Sequence, residues 1–247
     1  MSWSWLILGV IAGKALFCGI AAGLFYLYCR QRYLPSIARI FQERPLFIIP
    51  RGEPDEDAEE VSFQTADGLT LRGGYLYART RERSGVILFG LEFGSNRWAA
   101  ISYCDRLRDA GYDVLTFEPR NHGESENQSD YQPLQWATDR DLYDTQAALA
   151  YLASRHDADP KGVGLFGVSK GGSVGLVAAA NDPRVSCVAT DGAFGTMTTV
   201  MPFFMKWIDI YTPNVKFTKY IPNAFYRTLA RDTIRTVASE CKCRSTS

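Results

Sequence analysis

The chain has 247 residues, with 27 Lys plus Arg against 27 Asp plus Glu, so it carries no net charge. That balance argues against a nucleic-acid binder, which shows a basic excess. A content of 46% hydrophobic and 22% charged residues excludes disorder and allows a real core. The 6 Cys lack the paired spacing of a disulfide framework. Cys241 and Cys243 alone are too few ligands for zinc. With only 2 His, any imidazole chemistry has two candidates, His122 and His156.

From Trp3 to Tyr28 the sequence is apolar except for Ser4 and Lys14. These about 26 residues exceed the roughly 20 needed to cross a bilayer as a helix. A signal peptide would carry charge ahead of its apolar run, and none precedes this one. The spacing therefore predicts a retained transmembrane helix over 3–28, with Trp3, Trp5, Tyr26, Tyr28 and Tyr33 as interfacial belts. Lys14 costs about 2.5–3.5 kcal/mol on insertion scales. Arg30, Arg32, Arg39 and Arg44 follow the span and no charge precedes it, which predicts a single pass with the body in the cytoplasm. Residues 29–60 read as a juxtamembrane segment ending in a solvated, acidic linker, RGEPDEDAEE.

From Val61 the periodicity changes. VSFQTA, Asp67-Gly68 and LTLRGGYLYA read as a β-hairpin. Ser84–Gly90 is a buried strand, Arg97–Ala110 a helix closed by Gly111, and Asp113–Glu118 a strand. Leu134–Arg155 reads as a helix, Lys161–Val168 as a strand, Lys170–Ala180 as a helix and Val185–Thr190 as a strand. This alternation predicts an α/β fold, a mostly parallel sheet with helices on both faces. Residues 61–192 form that core. Residues 193–247 break the rhythm with an aromatic-rich stretch and then a helical one, a cap-like segment.

The sharpest motif is Gly167-Val168-Ser169-Lys170-Gly171, a G-x-S-x-G between an apolar strand and a Gly/Ala-rich helix. A Ser at such a turn is forced into a strained backbone conformation and is presented at a helix N-terminus. The flanking glycines remove Cβ atoms that would collide across the turn. The competing reading is an ordinary strand-to-helix turn with a capping Ser. Lys170 is expected to face solvent, since adjacent side chains at an elbow diverge.

These residues resemble the α/β-hydrolase superfamily over Val61–Gly192. Pro119-Arg120-Asn121-His122-Gly123-Glu124-Ser125 looks like the family's R-G-H-G-x-S loop, with Asn121 in place of the usual Gly and Glu118 near a common Asp. Phe89-Gly90-Leu91 falls where the family has an H-G-x oxyanion loop, with Phe89 in place of His. The resemblance implies Ser169 as nucleophile and the backbone N–H groups of Leu91 and Lys170 as oxyanion donors, for which side-chain identity is secondary. The Ser-Lys-Gly-Gly elbow also resembles that of acyl-CoA thioesterases and acyltransferases in this superfamily.

In that superfamily the triad runs Ser, then Asp or Glu, then His. No His follows Ser169. Asp191 ends the next strand and is a candidate acid; otherwise it is a turn or capping residue. His122 lies on a loop at the catalytic edge and is a candidate base, at a position that is usually structural in the family. His156 ends a helix and reads as structural. The expectation is a chain that stops before the triad acid and His. Phe203, Phe204, Trp207 and Tyr211 would then either line an apolar acyl pocket in the cap or only pack against the sheet.

The function expected is a membrane-anchored serine hydrolase of small acyl esters or thioesters, without nucleic acid, metal or cofactor. The alternative is a non-catalytic, membrane-tethered module of the same fold that binds a lipid or a protein.

Overall fold

A computed structural model describes residues 3–42 and 49–195. Six strands form one sheet: β1 (Glu59–Gln64), β2 (Thr70–Leu76), β3 (Gly85–Gly90), β4 (Tyr112–Glu118), β5 (Val163–Val168) and β6 (Val185–Asp191). Their spatial order is β1-β2-β4-β3-β5-β6. β2 runs antiparallel to both β1 and β4. The other pairings are parallel.

The strands follow from side-chain pattern. In β1, buried Val61 and Phe63 alternate with exposed Ser62 and Gln64, as an edge strand with one covered face requires. β3 is apolar, and β3 and β4 are both buried almost throughout, because helices cover both faces at the sheet centre. The β1–β2 turn closes at Gly68, whose φ of 88° suits glycine. Each parallel pairing needs a crossover, supplied by α2 (Ala100–Asp109), α3 (Asp139–Ser154) and α4 (Lys170–Asn181).

Two core clusters sit on opposite faces of the sheet. Leu71, Leu88, Leu115, Leu149 and Leu152 pack under α3. Phe89, Val114, Val168, Trp98 and Cys104 pack under α2. Truncating a fully buried leucine of the first cluster, such as Leu115, costs about 2–5 kcal/mol. The carboxyl ends of β3, β4, β5 and β6 share one edge, the usual place for a site in such sheets.

α1 runs from Trp3 to Gln42 and so extends past Tyr28. Its segment Ile7–Tyr28 has a mean hydropathy of 2.0 and contains no buried residue. Ile7, Leu8, Ile11, Leu16, Phe17 and Leu24 are all exposed. The helix is long and apolar enough to cross a membrane.

The acidic linker is not free in solvent as expected. Asn96 clasps Gly52, accepting its N–H at 3.0 Å and donating to its carbonyl at 2.9 Å. A Cβ on Gly52 would lie 2.1 Å from the Trp98 carbonyl oxygen, so only glycine fits. Ser95 donates to the Pro50 carbonyl at 2.7 Å, and Arg108 pairs with Asp55 at 3.0 Å. This strap binds the loop that follows β3. Its hold is tertiary, which a local reading of acidic composition does not reveal. Residues 196–247, including the cap aromatics Phe203, Phe204, Trp207 and Tyr211, lie outside the described residues.

Candidate active site

The β5–α4 junction is the most strained point of the sheet edge. Ser169 has φ 52° and ψ −116°. Such a conformation costs a side-chain-bearing residue about 1–3 kcal/mol. Ser169 is the N-cap of α4, yet its side chain makes no capping hydrogen bond. The hydroxyl is therefore not spent on the helix, as the capping reading requires. The backbone N–H of Ser169 donates to the Asp191 carbonyl at 2.7 Å, and its carbonyl accepts from Ser173 N–H at 3.1 Å.

The glycines around it are steric requirements. A Cβ on Gly167 would lie 2.5 Å from the Gly172 nitrogen. One on Gly171 would lie 2.2 Å from the Gly90 carbonyl carbon. The start of α4 thus presses against the end of β3, bringing the loop that carries Leu91 up to the helix N-terminus. Leu91, Lys170 and Gly171 line one cleft of about 40 Å³ together with Phe93, His122 and Asp141. The N-terminal N–H groups of a helix lack intrahelical acceptors, which suits them to a developing negative charge.

Phe89, at the position of the family's oxyanion-loop His, is 1% exposed and packs against Tyr103 and Phe166 with centroids 5.5 Å away. It belongs to the core and leaves the backbone of the following loop to face the cleft. In that loop Glu92 accepts from the Tyr103 hydroxyl at 3.0 Å. Burial first, and then this hydrogen bond, push the Tyr103 phenol up to about 12.

The loop after β4 is held by buried charge. The Arg120 guanidinium is fully enclosed and pairs with Asp144 at 2.6 Å and Asp67 at 2.6 Å. Asn121 takes φ 60°, where Asn is among the better-tolerated side chains. Its amide donates to the Gln128 and Tyr131 carbonyls and its oxygen accepts from Gln128 N–H. Asn121 thus replaces glycine with a residue whose side chain ties the loop shut. Glu118 pairs with buried Arg97 at 2.9 Å.

The two imidazoles separate. His156 is exposed beyond the C-terminal end of α3. α3 begins at the site edge, and its 16 residues put that end about 24 Å away. His122 lines the cleft, and its Nδ1 lies 3.0 Å from the Arg120 carbonyl. A carbonyl only accepts, so Nδ1 carries the proton and Nε2 keeps a lone pair. Burial holds the His122 pKa below its ordinary 6.5, and the Lys170 charge pushes the same way, against the bond to Arg120.

Asp191 stands at the carboxyl end of β6 with its side chain exposed, joined to Ser169 through the backbone. Lys170 departs from expectation. Its side chain is buried rather than solvent-facing, with Nζ 2.7 Å from Asp141 Oδ1. Asp141 lies 29 positions earlier on another helix, so no local pattern announces the pair. Among the described residues no group of three or more His, Cys, Asp or Glu is arranged to hold a metal ion.

The family model for the alpha/beta hydrolase fold matches residues 86–237, more than half of the chain. The chain belongs to the α/β-hydrolase family. Among relatives of this α/β-hydrolase, the thiohydrolase aneE of Aspergillus aculeatus is 33% identical over 134 residues, covering 52% of this chain and 39% of that protein. The alpha/beta hydrolase domain-containing protein WAV2 of Arabidopsis thaliana is 25% identical over 227 residues, covering 89% of this chain and 68% of that protein. Among solved structures, an esterase of Pyrococcus furiosus superposes with a TM-score of 0.52 at 19% identity, covering 78% of this chain and 72% of that one. The esterase likeness speaks for the fold alone. The chain spans about two fifths of the length of the fungal thiohydrolase it matches.

Proposed function

We propose that this α/β-hydrolase is a membrane-anchored serine hydrolase of small acyl esters or thioesters. The observation that carries this is the strained Ser169, whose hydroxyl is not used as a helix cap. Strain retained at a helix N-terminus presents the hydroxyl instead of burying it in a turn. The names of relatives support an acyl-carbonyl substrate: one is a thiohydrolase and another, drtE of Aspergillus calidoustus, an acyltransferase, 31% identical over 134 residues.

In this reading Ser169 Oγ attacks the acyl carbonyl, whose oxygen becomes negatively charged. The N–H groups of Leu91 and Lys170 receive that charge. Each such donor contributes about 10²–10³ in rate where it has been removed from a hydrolase. The proton of Ser169 passes to an imidazole, which returns it to the departing alcohol or thiol. The resulting acyl-enzyme is then released by water. In drtE and aneE more than half of the protein lies outside the matched segment. Asp191 and His122 are the candidates within the present sequence. α1 is the anchor, with the body on the cytoplasmic side.

The sequence carries no His after Ser169. A second reading is a membrane-tethered module of the same fold that binds a lipid or protein without turnover. Hydrolysis of p-nitrophenyl butyrate and of butyryl thiocholine by the purified protein separates the two. The hydrolase reading expects turnover that is lost in Ser169→Ala. Equal rates in both proteins would reject it.

A further inference from the structure

Three parts of the site edge meet at a side chain that the chemistry above leaves unused. The Lys170 side chain lies 5.5 Å from the ring centroid of Phe93, in the loop after β3. It shares the cleft with His122, from the loop after β4. Its Nζ touches Asp141 Oδ1, in the first turn of α3, at 2.7 Å. Lys170 is 5% exposed, which is rare for lysine unless it is paired. The contact lies off the hydrogen-bonding direction, so Nζ has no hydrogen bond among the described residues.

Asp141 is itself immobilised. Its Oδ2 accepts from Thr138 N–H at 2.9 Å and from the Thr138 hydroxyl at 2.6 Å, closing the capping box of α3. Oδ1 is thus a fixed point on a rigid helix end. The residue that follows Lys170 is equally confined, since Gly171 is pressed against Gly90. Lys170 is gripped through its side chain on one side and through the next backbone unit on the other.

A buried ion pair is a poor source of net stability, because desolvation offsets most of the attraction. Its effect here is on geometry. We propose that the Lys170–Asp141 pair positions the oxyanion hole, holding the backbone N–H of Lys170 where the substrate oxygen arrives. Lys170 is then a positioning residue through its side chain and an oxyanion donor through its backbone. The proposal rests on Ser169 being the nucleophile.

The test compares Lys170→Met, Asp141→Asn and the double variant with the parent protein. Two readouts are taken beside the melting temperature. One is the second-order rate of fluorophosphonate labelling at Ser169. The other is amide hydrogen exchange at Ser169 and Ser173, whose N–H groups bond to the Asp191 and Ser169 carbonyls. Each single variant is expected to lower labelling about tenfold or more and to speed exchange at both amides, with the β1–β2 hairpin unchanged. The double variant, with no unpaired charge, regains melting temperature but keeps both defects. If it regains labelling and slow exchange together with melting temperature, the pair is merely structural and the proposal fails. Unchanged exchange in the single variants also overturns it. Where a single variant does not fold, the double variant decides. If the parent protein is not labelled, the hydrolase reading falls, while exchange still decides the positioning role.

Discussion

At the scale of single residues, Ser169 and His122 carry the account through their surroundings. Ser169 occupies a backbone region that glycine enters freely and serine does not. The G-x-S-x-G pattern made that junction legible, because a motif fixed to a strand–helix boundary constrains the backbone locally. The Lys170 side chain was not legible, since its partner arrives only through the packing of α3 beside α4. His122 gives a pH test. Its pKa is held below 6.5 in the folded protein, first by burial and further by Lys170. As pH falls, the unfolded chain therefore takes up the proton first, and the unfolded state is favoured. The His122 contribution to stability is complete above about pH 6.5 and is lost below it. Urea midpoints measured at pH 7.5 and 5.5 are expected to fall more in the parent than in His122→Gln. An identical fall in both would mean that His122 titrates normally.

At the scale of elements, the apolar runs of β3 and β5 announced themselves because largely buried parallel strands need no strict alternation. Boundaries moved where tertiary contacts decide them. α3 begins at Asp139 rather than Leu134, because Thr138 and Asp141 close a capping box there. Leu134 and Trp136 are buried ahead of the helix, so apolar character alone misplaced its start. The strap at residues 50–55 escaped notice for the opposite reason, its polar composition hiding specific docking onto Asn96 and Arg108. The packing of α4 on β3 and β5 predicts an asymmetry between two glycines of one helix. In Gly171→Ala the new methyl meets the Gly90 backbone at 2.2 Å, which cannot step aside. In Gly175→Ala it meets Leu165 Cδ2 at 2.3 Å, the end of a flexible side chain. Overpacking of this kind costs about 1–3 kcal/mol. Chemical denaturation is expected to place Gly171→Ala at or above the top of that range and Gly175→Ala near the bottom. Equal losses would show that the elbow is less confined than described.

At the scale of the whole molecule, an apolar helix and an α/β-hydrolase body are joined by a strap fastened to the loop after β3. The helix over Ile7–Tyr28 is apolar and long enough to cross a membrane. After alkaline carbonate extraction the protein is expected to stay with the membrane pellet and to leave it only in detergent. Release by carbonate alone would rule out a spanning helix. The body's fold was legible because strand and helix periods alternate so plainly. The triad was not, because the acid and base of this family come from loops that sequence order alone does not bring together.

The central claim is that Ser169 is a presented nucleophile. The most direct measurement treats the protein with a fluorophosphonate and maps the adduct by mass spectrometry. The account predicts one modified residue, Ser169, and no modification in Ser169→Ala. An unmodified Ser169 in folded protein, or equal labelling of the variant, would contradict it.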